Sequence, residues 1–304
     1  MMSAVLWLCA SGSLAAQTFT TVFSFDGADG SFPLGLVQAT DGNLYGTTQA
    51  SDGTIFKIAP SGTLTTLYSF AEGSGVTPAA GLIQGTDGNF YGTNSSGGVN
   101  EGNCQYDCGT VFKITPAGTF TTLHSFEATD GDGPAGALVQ ATDGNFYGTT
   151  LGGGANGDGT VFQMTPSGTL ATLHSFDNTD GRNPNALIQD TSGTLYGTTA
   201  RGASTIRKYH RCTGVCGKVF SVSVGLSRFV EAQPGSGKVG AAIKILGTDL
   251  TGSTSVSFNG TAAKFTVVSS SEITTSVPAD ASTGEVEVVT PSATLSTNVP
   301  FRVP

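Results

Sequence analysis

Asp143-Gly144-Asn145-Phe146-Tyr147-Gly148-Thr149-Thr150 is the stretch on which the fold turns. Asp-Gly is tight-hairpin chemistry, because Gly accepts φ > 0 and Asp bonds to its own local backbone. The residues around it are β-branched and aromatic, as a pleated surface prefers. Working outward, short strands are expected at Thr119–Phe126, Ala137–Thr142, Asn145–Thr150 and Thr160–Thr165, with a second turn at Pro166-Ser167-Gly168. Together they make one four-stranded antiparallel unit.

The unit repeats. Tyr-Gly-Thr occurs at Tyr45, Tyr91, Tyr147 and Tyr196, and Gly-Thr-Val-Phe-Lys or a close variant starts at Gly53, Gly109, Gly159 and Gly217. Thr-Leu-x-Ser-Phe, with small changes, ends at Phe25, Phe70, Phe126 and Phe176, and Pro33, Pro78, Pro134 and Pro184 follow. A spacing of this size suits a propeller blade of roughly 40–50 residues. The expected fold class is all-β: a β-propeller-like array of four four-stranded repeats followed by an Ig-like β-sandwich. The phase of the repeat predicts ring closure, with the strand Thr18–Phe25 pairing beside Lys218–Val224 and hiding both open edges. An open, twisted solenoid is the alternative.

These blocks resemble the GloVer-type tandem repeat of bacterial extracellular proteins, with its Tyr-Gly-Thr-Thr, Gly-rich loop and Gly-Thr-Val-Phe-Lys, over about Thr18 to Val224. The resemblance implies an extracellular location and little about activity, since the family is defined by location and repetition rather than by a reaction. After Val224 the texture changes to alternating Val, Thr and Ser. Strands are expected at Ala242–Leu246, Ser255–Asn259, Lys264–Val268, Glu272–Val277 and Glu285–Val289, with Phe301–Val303 closing a sandwich. Gly237-Lys238-Val239-Gly240, Ile245 to Leu250, Val256 to Gly260 and Val277-Pro278 resemble an IPT/TIG domain, which implies a spacer or protein-binding module. The division expected is 1–16 as a signal peptide, 17–225 as the repeat array and 226–304 as the Ig-like domain.

Composition agrees. Charged residues are 12% of 304 and glycines number 44, which favours short strands and tight turns over amphipathic helices. A net charge of −9 argues against a nucleic-acid partner, because phosphate selects for a basic surface. The apolar start followed by Ser13, Ala15 and Ala16 reads as a secretory leader cleaved near Ala16. Its basic n-region is missing, which points to a start further upstream. A first buried strand is the alternative. No membrane span is expected in the mature chain. Secretion or display at the cell surface is the expected localisation.

Function is expected on one face. Strands alternate direction, so the Asp-Gly and Pro-x-Gly turns share one face and the links of variable length share the other. Two long links end alike, at Cys104-x-x-x-Cys108-Gly and Cys212-x-x-x-Cys216-Gly. With Cys9 in the expected leader, the other four of the five cysteines permit three pairings, and equivalent placement favours two local disulfides that shape the loops. A zinc site from all four thiols fits poorly, since neither pair has the usual two-residue spacing. Arg201, Arg207, Lys208, Tyr209, His210 and Arg211 form a basic segment in an acidic chain, either a solvated loop or a patch for an acidic polysaccharide. Asp26/Asp29, Glu127/Asp130 with Asp132, and Asp177/Asp180 are candidate Ca²⁺ ligands, against a plainer reading as turn formers. No catalytic set stands out. His124 and His174 take the repeat position of Phe23 and Tyr68, and so read as packing residues. The expectation is a non-enzymatic structural or interaction protein without cofactor, whose partners are an extracellular polysaccharide or a surface protein. A lectin-like polysaccharide-binding protein is the runner-up, and a propeller glycosidase or lyase comes third.

Overall fold

The computed structural model describes residues 19–49, 53–71, 76–98, 104, 108–202 and 216–304. The chain is all-β, and the repeats form successive antiparallel blades. The first runs Pro33–Gln38, Leu44–Thr48, Thr54–Ile58, Leu64–Ser69, in that spatial order. In the second and third, the innermost strand is split into two short pieces, Thr77–Pro78 with Ile83–Gln84 and Asp132–Pro134 with Val139–Gln140. The inner strands converge. A Cβ on Gly81 would lie 3.0 Å from the Gly35 carbonyl oxygen, and one on Gly136 would lie 2.8 Å from the Ala186 Cα.

The Tyr-Gly-Thr motif works one residue at a time. Tyr45 stacks on Phe90 of the following blade with ring centroids 3.9 Å apart, and Tyr91 packs on Phe146 at 4.0 Å. Each phenol also donates to the aspartate of its own Asp-Gly turn, at 2.8 Å to Asp41 and Asp87 and 2.9 Å to Asp143. The glycine makes room within the blade. A Cβ on Gly148 would meet Phe162 Cζ at 2.5 Å and Leu138 Cδ2 at 2.9 Å, and the other three motif glycines are crowded in the same way. The threonine reaches across. Thr47, Thr93 and Thr149 hydroxyls donate to the carbonyls of Ala80, Gly136 and Asn185 in the following blade. Glutamines at the inner-strand ends complete each junction, with Gln84, Gln140 and Gln189 side chains accepting from the amides of Thr40, Thr86 and Thr142.

Three junction cores result, and each joins two blades. The first contains Tyr45, Ile55, Phe90 and Phe112, the second Tyr91, Val111, Phe146 and Phe162, and the third Tyr147, Val161, Leu187 and Leu195.

Among the described residues, the expected ring closure is not made. The fourth blade has three strands, Arg182–Gln189, Leu195–Arg201 and Lys218–Val222, and the last of these is an edge. Residues 19–25 lie in no strand. They sit instead on the first blade, where Phe25 meets Phe56 edge-on at 5.1 Å. Phe126 meets Phe162 and Phe176 meets Phe220 in the same manner further along the array. The N-terminal segment therefore packs on the first blade as an outer strand packs on the blade that follows it, and among the described residues the array is open.

The Ig-like domain packs two four-stranded sheets around Val230, Ile243, Ile245, Val256, Phe258, Ile273, Val286 and Val288. It lies against the Asp-Gly turns. Thr142 donates to the Ser227 carbonyl, Phe229 N–H donates to the Thr191 carbonyl, and Arg302 lies beside Asp41 and Gly42.

Two outcomes test this packing. Gly148→Ala forces Phe162 or Leu138 aside and is expected to cost about 1–3 kcal/mol in denaturant unfolding. Burial, with the bond to Asp41, pushes the Tyr45 phenol up to about 12 from 10.0. A raised folded pKa stabilises below the unfolded value and is lost as pH climbs through the folded one. Thermal stability is therefore expected to drop between about pH 10 and 12, and Tyr45→Phe is expected to remove part of that drop.

Candidate functional site

The face opposite the Ig-like domain carries two kinds of connection. The first kind runs from each outer strand to the next blade and contains the acidic pairs. Each is a self-bonded turn. The Asp29, Asp130 and Asp180 carboxylates accept from the N–H of Asp26, Glu127 and Asp177, at 3.1, 2.9 and 3.1 Å. Asp26 accepts from Ala28 N–H. Asp177 accepts from the hydroxyl and N–H of Thr179, and these bonds hold its carboxyl below the ordinary range. The second oxygen of Asp130 and of Asp180 is engaged by histidine, His124 Nε2 at 2.9 Å and His174 Nε2 at 2.7 Å.

His124 and His174 do pack as expected, edge-on to Phe126 and Phe176. Their bond to the turn aspartate was not part of that expectation. The signal lies in paired positions within the repeats. Asp follows His124 and His174 six residues later, and Asp29 follows Phe23 at the same spacing, whereas Tyr68 is followed by Ser74. Among the described residues no serine, threonine or cysteine joins either His–Asp pair as a nucleophile, so the pairs pin a turn to its outer strand.

The second kind of connection varies from repeat to repeat. In the second repeat Cys104 and Cys108 are joined by a disulfide with a Cα–Cα distance of 5.4 Å. Cys108 is buried in the second junction core, so the bond anchors the loop end there. Asp132 lies within 4.8 Å of both sulfurs, and burial raises its carboxyl above the ordinary range. With the sulfurs bonded to each other, neither offers a thiolate to a metal. The third repeat holds the same link without cysteine. Asn156 donates to the Phe176 carbonyl at 3.1 Å, and Gly154 N–H donates to the Ala128 carbonyl at 2.8 Å. In the fourth repeat Cys216 is disulfide-bonded. Cys212, Arg207, Lys208, Tyr209, His210 and Arg211 lie outside the described residues.

Arg201 is exposed at the end of its strand and pairs in register with Arg182 on the neighbouring strand. Arg182 has a buried Nε without a hydrogen-bond partner. Lys218 starts the edge strand and donates to the Thr179 carbonyl. Arg182 and Lys218 are absent from the sequence-derived candidates, although both depart from their repeat. Arg182 stands where Ser31 and Asp132 stand, and Lys218 replaces Thr54, Thr110 and Thr160. Arg182, Arg201 and Lys218 lie at that side of the fourth repeat, and Arg207, Lys208 and Arg211 fall between Arg201 and Lys218 in sequence, six of the 13 Lys and Arg residues in all.

The Gloeobacter/Verrucomicrobia repeat family model matches residues 11–209, and the IPT/TIG domain model matches residues 228–303. This chain belongs to the Gloeobacter/Verrucomicrobia repeat family. No curated protein matches it. Solved structures similar to this repeat protein include a putative gluconolactonase, at 14% identity over 80% of this chain and 73% of that one, with a TM-score of 0.40. A gluconolactonase from Xanthomonas campestris is 15% identical over 81% and 72%, with a TM-score of 0.41. The PQQ-bound aldose sugar dehydrogenase of Streptomyces coelicolor is 14% identical over 86% and 88%, with a TM-score of 0.38. Similarity this low transfers no activity. Among the described residues, no helix is long and apolar enough to cross a membrane.

A double-mutant cycle checks the role given to the histidines. His124→Ala and Asp130→Ala are expected to couple by about 0.5–1.5 kcal/mol in unfolding free energy. Additive effects of the two substitutions would remove the turn-pinning role.

Proposed function

We propose that this chain is a secreted or cell-surface interaction module without enzymatic activity, which displays variable loops on one face of a rigid repeat array. One observation carries the reading. The recurrent polar groups of that face, the Asp turns and the His–Asp pairs, are engaged in holding the backbone, whereas the links between them differ in length, composition and fastening. Repetition builds a platform, and variation on its surface is where a binding specificity resides. The Ig-like domain contacts the opposite face, through Thr142, Thr191 and Arg302.

A second reading concerns the ligand. The cluster around Arg182, Arg201 and Lys218, continued in sequence by Arg207, Lys208 and Arg211, is a local cationic field in a chain of net charge −9. Guanidinium groups bind carboxylate and sulfate in fork geometry, which favours an acidic polysaccharide over a neutral one.

One experiment addresses both readings. The full chain is incubated with acidic and neutral polysaccharides, binding is read on a glycan array, and turnover is read from new reducing ends. Acidic polymers are expected to bind without being cleaved. The variant Arg201→Ser/Arg207→Ser/Lys208→Ser/Arg211→Ser is expected to weaken that binding at least tenfold. Cleavage of any polymer defeats the non-enzymatic reading, and unaltered binding by the variant defeats the cationic site.

A further inference from the structure

The disulfide between Cys104 and Cys108 fastens a link whose backbone frame does not depend on it. The third repeat, which has no cysteine, makes the same backbone bonds. Gly109 N–H donates to the Gly97 carbonyl and Gly133 N–H to the Cys108 carbonyl, as Gly159 N–H donates to Gly153 and Asn183 N–H to Asp158. A bridge across a sequence separation of 4 also closes a small ring, and the stabilisation from loop closure shrinks with ring size. The bond therefore adds little to the fold, and its chemistry is what distinguishes the second repeat.

A second departure from the repeat accompanies it. Asp132 reaches this link from the next blade, and Ser31, Val76 and Arg182 stand at the equivalent positions. Aspartate occurs at that position only where a cysteine pair lies opposite. Its carboxyl lies within 4.8 Å of both sulfurs, and among the described residues it has no hydrogen bond or ion pair. A carboxyl drawn partly out of water without a partner is a cost to the fold, and it holds a proton more readily than a solvated one. The two sulfurs differ in access. Cys108 is buried in the junction core with Tyr91, Phe126, Leu138 and Phe146, whereas Cys104 is partly exposed at its edge.

We propose that Cys104–Cys108 is an exchange-active disulfide, reduced by a dithiol through attack at Cys104, with Asp132 protonating the departing Cys108 sulfur. One thiolate of the dithiol attacks the Cys104 sulfur, and a new S–S bond forms. The Cys104–Cys108 bond breaks, its electron pair leaves on Cys108, and the Asp132 carboxyl proton moves onto that sulfur. The second thiolate of the dithiol then attacks its partner sulfur in the mixed disulfide. Cys104 leaves with the electron pair and takes a proton from water, and Asp132 regains its own from water. Two cysteines are thereby reduced to thiols, and the dithiol is oxidised to a disulfide. Cys104 is the sulfur attacked because exchange requires access. Proton donation matters at Cys108, because burial disfavours a thiolate and exchange speeds up as the leaving sulfur departs more easily. One bond is consumed per dithiol, so the chain is a reactant here rather than a catalyst, and the reaction is independent of polysaccharide binding.

The test uses the full chain, with dithiothreitol as the dithiol. Timed alkylation followed by peptide mass spectrometry reads each cysteine separately, so Cys104 and Cys108 are told apart from Cys212 and Cys216. Asp132→Asn, which keeps the side-chain shape, is expected to slow the appearance of free Cys104 and Cys108 by about tenfold or more. Asp132→Glu, which keeps the carboxyl, is expected to retain most of the wild-type rate. With the monothiol glutathione, the wild-type mixed disulfide is expected on Cys104. A rate in Asp132→Asn equal to or above that of the wild type overturns the proposal, since a carboxylate that only repels the incoming thiolate would give that result. So does Asp132→Glu as slow as Asp132→Asn, which would reduce Asp132 to a packing role. Glutathione found on Cys108 overturns the order of attack and with it the proposal.

Discussion

A tyrosine held at both ends ties each blade to the next. The ring of Tyr45 or Tyr91 lies on an aromatic ring of the following blade, while its hydroxyl is bound by the aspartate of its own hairpin turn. A buried phenol requires a partner for its hydroxyl, and a stacked ring contributes about 0.5–1.5 kcal/mol beyond the area it covers. Satisfying both at once fixes where the turn sits relative to the next blade. Asp41 illustrates the balance. Burial disfavours its charge, but bonds from Asn43 and Tyr45 outweigh that penalty and hold its carboxyl below the ordinary range. The Asp-Gly turn is thus a hairpin device and also one half of the junction between blades.

This coupling explains which parts of the fold were legible in the sequence. Turn chemistry and strand content are local, so the four repeats, their hairpins and the sandwich after Val224 can be read directly from residues such as Asp143, Gly144 and Tyr147. The inner strands are less regular than their sequence suggests, and in the second and third blades a break separates Thr77–Pro78 from Ile83–Gln84 and Asp132–Pro134 from Val139–Gln140. Ring closure is not fixed by the residues for a different reason. The outer-strand sequence at residues 19–25 has two possible neighbours, an edge strand nearly two hundred residues away and the first blade beside it. An internal outer strand uses both neighbours at once, and among the described residues only the contact with the first blade, Phe25 on Phe56, is made.

The candidate site was legible in place rather than in membership. Alternating strand direction correctly separates turn face from loop face, and the Ig-like domain occupies the turn face through Thr142, Phe229 and Arg302. What escaped were residues whose meaning lies in contrast with their own repeat. His124 is ordinary until it is set beside Asp130, six residues on. Arg182 and Lys218 are ordinary cations until they are set against the serine, aspartate or threonine at the equivalent positions. A repeat protein supplies its own internal comparison, and departures from the consensus carry more functional information there than the consensus itself.

The fourth repeat shows how such departures combine. Asp-Gly-Asn becomes Ser192-Gly193-Thr194, so Tyr196 lacks the turn carboxylate that binds each of the other three tyrosines. The turn is held instead by Asp190, whose carboxylate accepts from the N–H of Ser192 and of Thr194. Freed of the phenol, this turn receives the Ig-like domain, with Thr191 bonded to both Phe229 and Thr248. The substitutions therefore adapt the turn to its new neighbour, while Ile188, Val219 and Tyr196 on the blade surface remain those of an internal repeat. Had the last repeat evolved only to end the array, its outward apolar residues would have been the first to change, because each leaves hydrocarbon in water. Their retention beside a rebuilt turn separates two constraints on one blade: the turn is fitted to the Ig-like domain, and the surface is still fitted to a blade.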